Sequence, residues 1–256
     1  MNYFAKKEEN KKRAREHTEN MQKRYANRIA ESVKDSRIYG GEDEKPGFIT
    51  KADRDQLSGP KVIFANTDSV SALFEHGEGK TAILNFASYK NPGGMFYEGS
   101  MAQEESLCHH STLYNILRDF PAYYAWNNAH KNKALYLDRA IYTPKVVFEK
   151  GGKALLADVI TCAAPNYSAA KRYKMADKDE NEILLHGRIA FVRDVVETEG
   201  AKTLITGAFG CGVFGQDASM VAKMSKEIFQ RTTISKIIYA VPGKDKNAEA
   251  FRKMFS

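Results

Sequence analysis

Two adjacent carboxylates, Glu104 and Glu105, are the residues of this sequence best placed to carry out chemistry. They follow an apolar run, Thr81 to Ala87, and a turn signal that reads Asn-Pro-Gly-Gly at 91–94. Consecutive glycines adopt positive φ without strain and let a ligand approach the main chain closely. Paired carboxylates can divide a reaction between them, one as general acid or base and the other as a ligand for the substrate. We therefore predict an active site where this strand ends.

The helix that carries the two acids is predicted from about Met101 to Leu117, because Ser100 and Gln103 fit a capping box. Neighbouring residues point about 100° apart on a helix, so the two carboxylates cannot have the same role. A structural explanation stays open, since acids near a helix N-terminus interact favourably with the helix dipole whatever their function. The dipole also lowers a carboxyl pKa, so burial or a bound anion must outweigh it in a general acid.

A second glycine-rich turn, GAFGCGVFGQD at 207–217, lies between a predicted strand at 203–206 and a predicted helix from about Ala218 to Gln230. Backbone amides in such a turn, ahead of a helix N-terminus, form a cradle for phosphate oxygens. Gly210, Gly212 and Gly215 also match the dinucleotide-binding fingerprint. Both interpretations predict a pyrophosphate ligand.

The dinucleotide-binding fingerprint, taken literally, predicts a nicotinamide-binding domain, and the rest of the sequence supports this interpretation less well than a phosphate cradle. Such a domain needs several more βα units after the glycine turn and an acid at the end of the following strand. The remaining sequence offers one more strand, Lys236 to Val241, a terminal helix, and no acid before Asp245. The sequence therefore argues against a Rossmann dehydrogenase.

The rest of the chain supplies the strands and helices that must position these turns, and it indicates an α/β fold. Further strands are predicted at Lys61 to Asn66, 140–143, 146–148 and Ala154 to Thr161. Further helices are predicted at Ser69 to His76, capped by Asp68, and at Ile183 to Glu199, after an exposed charged loop at 171–182. Asn166 follows a predicted strand, at the edge where ligands bind in open α/β sheets, and is a candidate pocket residue.

The N-terminal segment carries most of the excess positive charge. Residues up to Lys34 include ten basic and five acidic side chains, whereas the whole chain has a net charge of +7. An apolar stripe at Met21, Tyr25, Ile29 and Val33 predicts one long helix, or two, docked on the main domain. A basic helix can contact nucleic acid, although a solvated surface helix explains the same pattern. We predict an N-terminal basic helical extension at 1–45 and a catalytic domain at 46–256.

Composition limits the remaining classes of protein. Hydrophobic content of 43% and charged content of 28% are ordinary for a soluble globular chain. The absence of a long apolar run and of a signal-peptide core predicts a cytoplasmic protein with no membrane partner.

Cys108, Cys162 and Cys211 are too far apart for a zinc site or a disulfide framework, so reduced thiols are expected. A thiol nucleophile at Cys108, or a metal pair with the adjacent histidines, is not favoured.

The string NPGG, a spacer of eight residues, QEESL and a following STLY resembles the signature of the microbial poly(ADP-ribose) glycohydrolases, a branch of the macrodomain superfamily. The usual motif has three glycines before Gln-Glu-Glu, and this sequence has Met95 where the third is expected. The turn at 207–217 resembles the diphosphate loop of that family, and CAAPNY its Ala-Pro-Asn stretch. The resemblance covers about Lys61 to Val241 and, more loosely, the helical N-terminus.

This resemblance implies a macrodomain-like mixed sheet sandwiched between helices, with an N-terminal helical extension. It implies hydrolysis of ribose-ribose O-glycosidic bonds in poly(ADP-ribose) with release of ADP-ribose, and no metal or cofactor. Glu105 would protonate the leaving oxygen and then activate water, while Glu104 would bind a ribose hydroxyl. The implied substrate-binding residues are Asp68 at the adenine, Asn91, Gly93, Gly94, Gln103, Asn166, and Gly210, Cys211, Gly212, Val213, Phe214 and Gly215.

Two other functions stay open. A hydrolase for another ADP-ribosyl linkage, on protein or nucleic acid, would keep both motifs and differ in pocket shape. A non-catalytic ADP-ribose reader would keep the diphosphate loop and dispense with the acids. Met95 bears on both, because it could narrow the pocket near the distal ribose.

Overall fold

One mixed sheet organises the chain in the computed structural model, which describes residues 3–256 and leaves Met1 and Asn2 outside the described residues. Within that range the strands are β1 (Arg37–Gly40), β2 (Lys61–Ala65), β3 (Thr81–Phe86), β4 (Arg139–Lys150), β5 (Lys153–Cys162), β6 (Thr203–Thr206) and β7 (Lys236–Ala240). Their order in the sheet is β1-β4-β5-β3-β6-β7-β2. Strands β5, β3, β6, β7 and β2 are mutually parallel, and β4 is antiparallel to both of its neighbours.

Helices cover both faces of this sheet. The α-helices of the described residues are α1 (Tyr3–Asp35), α2 (Lys51–Asp55), α3 (Ser69–His76), α4 (Gln103–His109), α5 (Leu113–Leu117), α6 (Pro121–Ala129), α7 (Tyr167–Arg172), α8 (Lys178–Thr198), α9 (Ala218–Phe229) and α10 (Lys246–Phe255). Apolar residues of α8, α9 and α10 form one core with the sheet, and those of α1 and α3 to α6 form the other. The predicted α/β fold with a mixed sheet between helices is confirmed. None of the helices within residues 3–256 is long and apolar enough to cross a membrane.

The N-terminal helix docks by the stripe that the sequence predicts. Met21 and Ile29 are buried, and Tyr25 and Val33 pack against the core that includes Ile29. The helix is kinked at Tyr25, whose hydroxyl donates a hydrogen bond of 2.5 Å to Glu149 at the end of β4. The following strand β1 joins the sheet beside β4. The boundary at 45/46 stays a prediction.

The single helix predicted from Met101 to Leu117 is wrong, because two short helices, α4 and α5, occupy this stretch. The chain between them bonds to the edge of β4: the Thr112 N–H donates to the Val147 carbonyl at 3.0 Å, and His110 accepts from the Glu149 N–H at 2.7 Å. These long-range bonds replace the i to i−4 bonds of a continuous helix.

The capping box predicted at Ser100 is also wrong. The N-cap residue of α4 is Ala102, whose N–H donates to Glu105 Oε2 at 2.8 Å. The Gln103 side chain turns instead to β3, where its oxygen accepts the Phe86 N–H at 2.8 Å and its nitrogen donates to the Leu84 carbonyl at 2.9 Å. This amide therefore fixes the start of α4 against the end of β3.

Two other local predictions need correction. The segments at 140–143 and 146–148 are one strand, β4, with an irregularity between Thr143 and Val146. Pro144, which has no N–H to donate, lies at this irregularity. The predicted loop at 171–182 shrinks to Tyr173–Asp177, because α7 ends at Arg172 and α8 begins at Lys178. Asp177 caps α8 by accepting the Glu180 N–H at 2.8 Å.

Candidate active site

The carboxyl ends of β3, β5 and β6 meet at one edge of the sheet and surround a cavity of about 420 Å³. Of the residues that the sequence singles out, the cavity is lined by Gly94, Gln103, Glu104, Glu105, Asn166, Gly210, Gly212, Val213 and Phe214. The two glycine-rich turns are more than a hundred residues apart in the chain. Parallel strands bring them to one place, because their carboxyl ends point to the same edge.

The first turn holds its shape through glycines with positive φ, +65° at Gly93 and +62° at Gly94. A Cβ at Gly94 would lie 2.6 Å from Glu105 Oε1 and 2.9 Å from Glu104 Oε2. Both carboxylates thus approach the same glycine, and a side chain there would displace them. Gly93 is buried behind the turn, where a Cβ would meet the Tyr114 ring at 2.6 Å.

Glu104 is almost completely buried and is held from the sheet side. Its Oε1 accepts a hydrogen bond from Asn85 Nδ2 at 3.2 Å, and its Oε2 accepts the Ser88 N–H at 2.7 Å. Burial raises the pKa of Glu104 to about 8, and the charge of Glu105 adds to this rise. The donors at Ser88 and Asn85 lower the pKa in part. Glu104 therefore holds a proton near neutral pH.

Glu105 is held by the two ends of the segment 95–102. Its Oε1 accepts the Met95 N–H at 2.9 Å, and its Oε2 accepts the Ala102 N–H at 2.8 Å. Both donors are backbone groups, so the carboxylate position depends on the path of the chain from 95 to 102. The two acids therefore have different partners, as expected for neighbours on a helix.

Met95 occupies its position without backbone strain. Its φ is −110°, so this position does not require glycine, and its N–H serves Glu105. Half of its side chain is exposed, at 50%, and the residue lines the cavity next to the acids. Met95 therefore adds an apolar wall to the mouth of the cavity and leaves the carboxylates in place.

The second turn presents free backbone donors to the cavity. Gly210 and Gly215 have φ of +78° and +72°. Within residues 3–256 no group accepts a hydrogen bond from the backbone N–H of Gly212, Val213 or Phe214. Free N–H groups ahead of α9 form an anion cradle, which the sequence predicts for a pyrophosphate.

Several candidate residues lie outside this cavity. Cys211 is buried in the turn, Gly215 lies against Ser168 of α7, and the exposed Asn91 accepts the Gly94 N–H at 3.2 Å through its carbonyl. Asp68 caps α3, accepting the Ser71 N–H at 2.8 Å.

Asp68 also lines a second cavity of about 270 Å³. The two cavities share a common wall of four residues, Phe86, Ala102, Gln103 and Ala208. An extended ligand could therefore reach both.

Sequence reasoning missed several residues around the acids. Asn85 is a buried polar residue inside an apolar strand, and that contrast is the signal by which it could have been found. Ser88 acts through its backbone N–H, which no side-chain pattern reveals.

Tyr136 lines the cavity and stacks on Tyr89, with ring centroids 4.1 Å apart. Its φ is +63°, and residues 132–134 also have positive φ. Non-glycine residues in this region are strained, and such strain is concentrated at functional sites. No local sequence signal predicts this left-handed segment.

Neither the three cysteines nor the two histidines at the end of α4 line the cavity. All three cysteines are free and buried. Burial raises the pKa of the Cys108 thiol well above its ordinary value, which opposes a role as nucleophile. Burial also lowers the pKa of His109 to about 4, so this side chain is neutral at physiological pH.

Comparisons with known proteins agree on one family. The family model described as "Microbial-type PARG, catalytic domain" matches residues 6–150. The structure of poly(ADP-ribose) glycohydrolase from Thermomonospora curvata is similar, with a TM-score of 0.83 and 26% identity over 97% of this chain and 100% of that chain. Its complex with the inhibitor ADP-HPD gives a TM-score of 0.79 at the same identity and coverage.

The poly(ADP-ribose) glycohydrolase of Deinococcus radiodurans in complex with ADP-ribose is also similar. It has a TM-score of 0.73 and 27% identity over 88% of this chain and 96% of that chain. No curated protein sequence matches the chain.

Proposed function

The chain belongs to the microbial-type poly(ADP-ribose) glycohydrolase family, and from this we infer that it hydrolyses ribose-ribose O-glycosidic bonds in poly(ADP-ribose) and releases ADP-ribose. Its mixed sheet between helices is macrodomain-like, in agreement with these relatives. The observation that carries this function is one cavity in which paired carboxylates lie opposite a phosphate cradle.

The proposed ligand position follows from the two turns. The diphosphate rests on the free N–H groups at 212–214, and the distal ribose lies against Gly94 and the two acids. The adenine extends into the second cavity, beside Asp68. Phe214 packs near the ribose, since its ring lies 6.0 Å from that of Tyr136 on the cavity wall. Support comes from the relatives solved with ADP-ribose and with ADP-HPD.

The proposed reaction uses Glu105 as general acid and then as general base. Glu105 gives a proton to the leaving 2′ oxygen as the bond from that oxygen to the ribose C1″ breaks. The oxocarbenium-like ribose then reacts with water, whose proton returns to the Glu105 carboxylate. Microscopic reversibility allows one residue to perform both steps, and the chemistry requires neither a metal nor a cofactor.

Glu104 is proposed to bind a ribose hydroxyl. Because its pKa is raised to about 8, it can both accept and donate a hydrogen bond near neutral pH, and it adds little negative charge beside Glu105. The same raised pKa favours a second assignment, in which Glu104 is the proton donor. The bonds that anchor Glu104 to Asn85 and Ser88 support the first assignment, because they tie it to the sheet.

Release of ADP-ribose from purified poly(ADP-ribose) tests this function. We expect release by the native chain, no release by Glu105→Gln, and free ADP-ribose binding by both in calorimetry. Glu104→Gln is the matched variant, and we expect it to weaken ADP-ribose binding while some turnover remains. If Glu105→Gln keeps its activity and Glu104→Gln loses it, the two roles are exchanged. If ADP-ribose binds without release, the chain is a reader or acts on another linkage, and Met95→Gly becomes the next variant.

A substrate attached to nucleic acid, held by the basic N-terminus, is the other candidate. Part of the positive charge on α1 is neutralised, as in the ion pair of 2.5 Å between Arg24 and Glu149. Other side chains, such as Lys6 and Arg15, are exposed. Since α1 contributes buried residues to the core, its removal would disturb the fold. Charge reversal at exposed positions of α1, followed by the salt dependence of binding, is the appropriate test.

A further inference from the structure

A short basic segment follows the wall of the active-site cavity. It consists of Lys171, Arg172, Tyr173 and Lys174 at the end of α7, and we call it the α7 basic patch. Residues 167–176 contain these three cations and no acidic residue. The first acid after them, Asp177, is engaged as the cap of α8.

The side chains of the patch are exposed and available. Tyr173 is 64% exposed, and the three cations are exposed as well. Within residues 3–256 none of these cations forms an ion pair, whereas the nearby Lys178 lies 3.4 Å from Glu182. Tyr173 has no aromatic neighbour among the described residues. An exposed aromatic ring among unpaired cations suits a ligand with both bases and phosphates.

The patch is close to the cavity. Asn166 lines the cavity and caps α7 by accepting the Ala169 N–H at 3.0 Å. Ser168 in α7 donates its N–H to the Phe214 carbonyl at 2.9 Å, which joins the helix to the phosphate turn. Lys171 follows Asn166 by five residues, which span about 7.5 Å along a helix, so the patch begins within about 10 Å of the cavity wall.

The sheet order gives the direction in which a bound polymer leaves. Asp68 follows β2 at one end of the parallel strands, the phosphate turn follows β6, and Asn166 follows β5 at the other end. In the proposed binding mode the adenine lies on the β2 side and the reacting ribose on the β3 and β5 side. The scissile bond joins that ribose to the rest of the polymer. The remaining polymer therefore leaves on the side of β5 and α7.

We propose that the α7 basic patch binds the ADP-ribose unit of poly(ADP-ribose) that precedes the scissile bond. This inference rests on the proposed function, because that function sets the direction of the polymer. The cations contact the diphosphate of this unit, and the Tyr173 ring stacks on its adenine. The patch thus holds the part of the substrate that free ADP-ribose lacks.

The test uses the full chain and poly(ADP-ribose) of one defined length. The patch variant is Lys171→Glu/Arg172→Glu/Lys174→Glu. The control variant is Lys61→Glu/Lys153→Glu/Lys202→Glu, which changes the net charge equally at exposed positions by the amino ends of β2, β5 and β6. Polymer binding is measured in the Glu105→Gln background over a range of salt concentrations, and KM and kcat are measured with Glu105 intact.

We expect the patch variant to bind the polymer at least about tenfold more weakly than the control variant. The diphosphate of one unit has two phosphates, so loss of these contacts should reduce the slope of log K against log salt by about 1.4. KM for the polymer should rise while kcat and the affinity for free ADP-ribose stay unchanged. Tyr173→Ala should weaken polymer binding about fivefold, and Tyr173→Phe should restore it, because stacking needs the ring and not the hydroxyl.

Equal polymer affinity in the patch and control variants would overturn the proposal. A competition experiment gives a second way to overturn it. If single-stranded oligoadenylate competes for the patch as strongly as poly(ADP-ribose) with the same number of phosphates, the patch is a nucleic-acid surface. Binding is measured without hydrolysis, so the two hypotheses can fail separately. Patch-dependent polymer binding without release by the native chain would contradict the glycohydrolase function alone.

Discussion

Replacing Gly94 by alanine should remove activity far more than stability. Both carboxylates approach this residue, and the added Cβ would lie 2.6 Å from Glu105 Oε1. That is about 0.8 Å closer than the 3.4 Å at which ordinary contact begins, so the carboxylate or the turn must move by nearly 1 Å. A misplacement of about 1 Å in a catalytic group costs roughly 100-fold in rate.

Gly79→Ala is the matched control. Gly79 has φ of +59°, close to the +62° of Gly94, and an added Cβ there would meet nothing within 4 Å. A left-handed non-glycine residue costs about 1 to 2 kcal/mol in either position. For a chain of this size each kcal/mol lowers Tm by about 2 to 4 °C, so both variants should lose a few degrees.

The assay compares ADP-ribose release and thermal unfolding in the two variants. We expect kcat/KM to fall about 100-fold in Gly94→Ala and less than about threefold in Gly79→Ala, because only the first displaces a carboxylate. If the two variants keep similar activity at similar Tm, the contact between Gly94 and the acids has no catalytic importance, and the placement of the ribose beside them is wrong.

Three further predictions concern Glu104, Tyr136 and Met21. Since burial raises the pKa of Glu104 from 4.5 to about 8, its contribution to stability is present at low pH and lost as pH rises from 4.5 through about 8. The Tm of Glu104→Gln should therefore fall less over this range than that of the native chain, and equal slopes would contradict the burial argument. Tyr136→Ala should raise KM and lower Tm. Tyr136→Phe keeps the stack on Tyr89, so its Tm should remain near that of the native chain. An unchanged KM in Tyr136→Ala would exclude a role of Tyr136 in substrate binding. Met21→Ala should cost about 2 to 5 kcal/mol because Met21 is fully buried, and a Tm loss no larger than that of Met175→Ala, at an exposed position, would show that burial of Met21 does not stabilise the fold.

Much of the molecule was predictable because its signals are local. Strands β2, β6 and β7 and helices α3 and α9 lie within one or two residues of their predicted positions. Asp68 caps α3 as predicted, since a cap depends only on the three following residues. The α1 stripe also needed no tertiary information, because helical periodicity places its residues on one face.

Other features depended on contacts between distant parts of the chain. The break between α4 and α5 results from hydrogen bonds to β4, and the left-handed segment that carries Tyr136 is held by its surroundings. Local propensity cannot predict either feature, because the competing bonds come from residues far away in sequence.

The candidate site shows the same division. The sequence by itself determined the chemistry available: two adjacent acids after a glycine turn, a second glycine turn suited to phosphate, and the motif that resembles one family. Tertiary structure alone decided that both turns line one cavity, that Glu104 is buried with a raised pKa, and that the two acids have different partners. The physical reason is that residue type sets which groups can react, whereas packing sets their distances and their exposure to water.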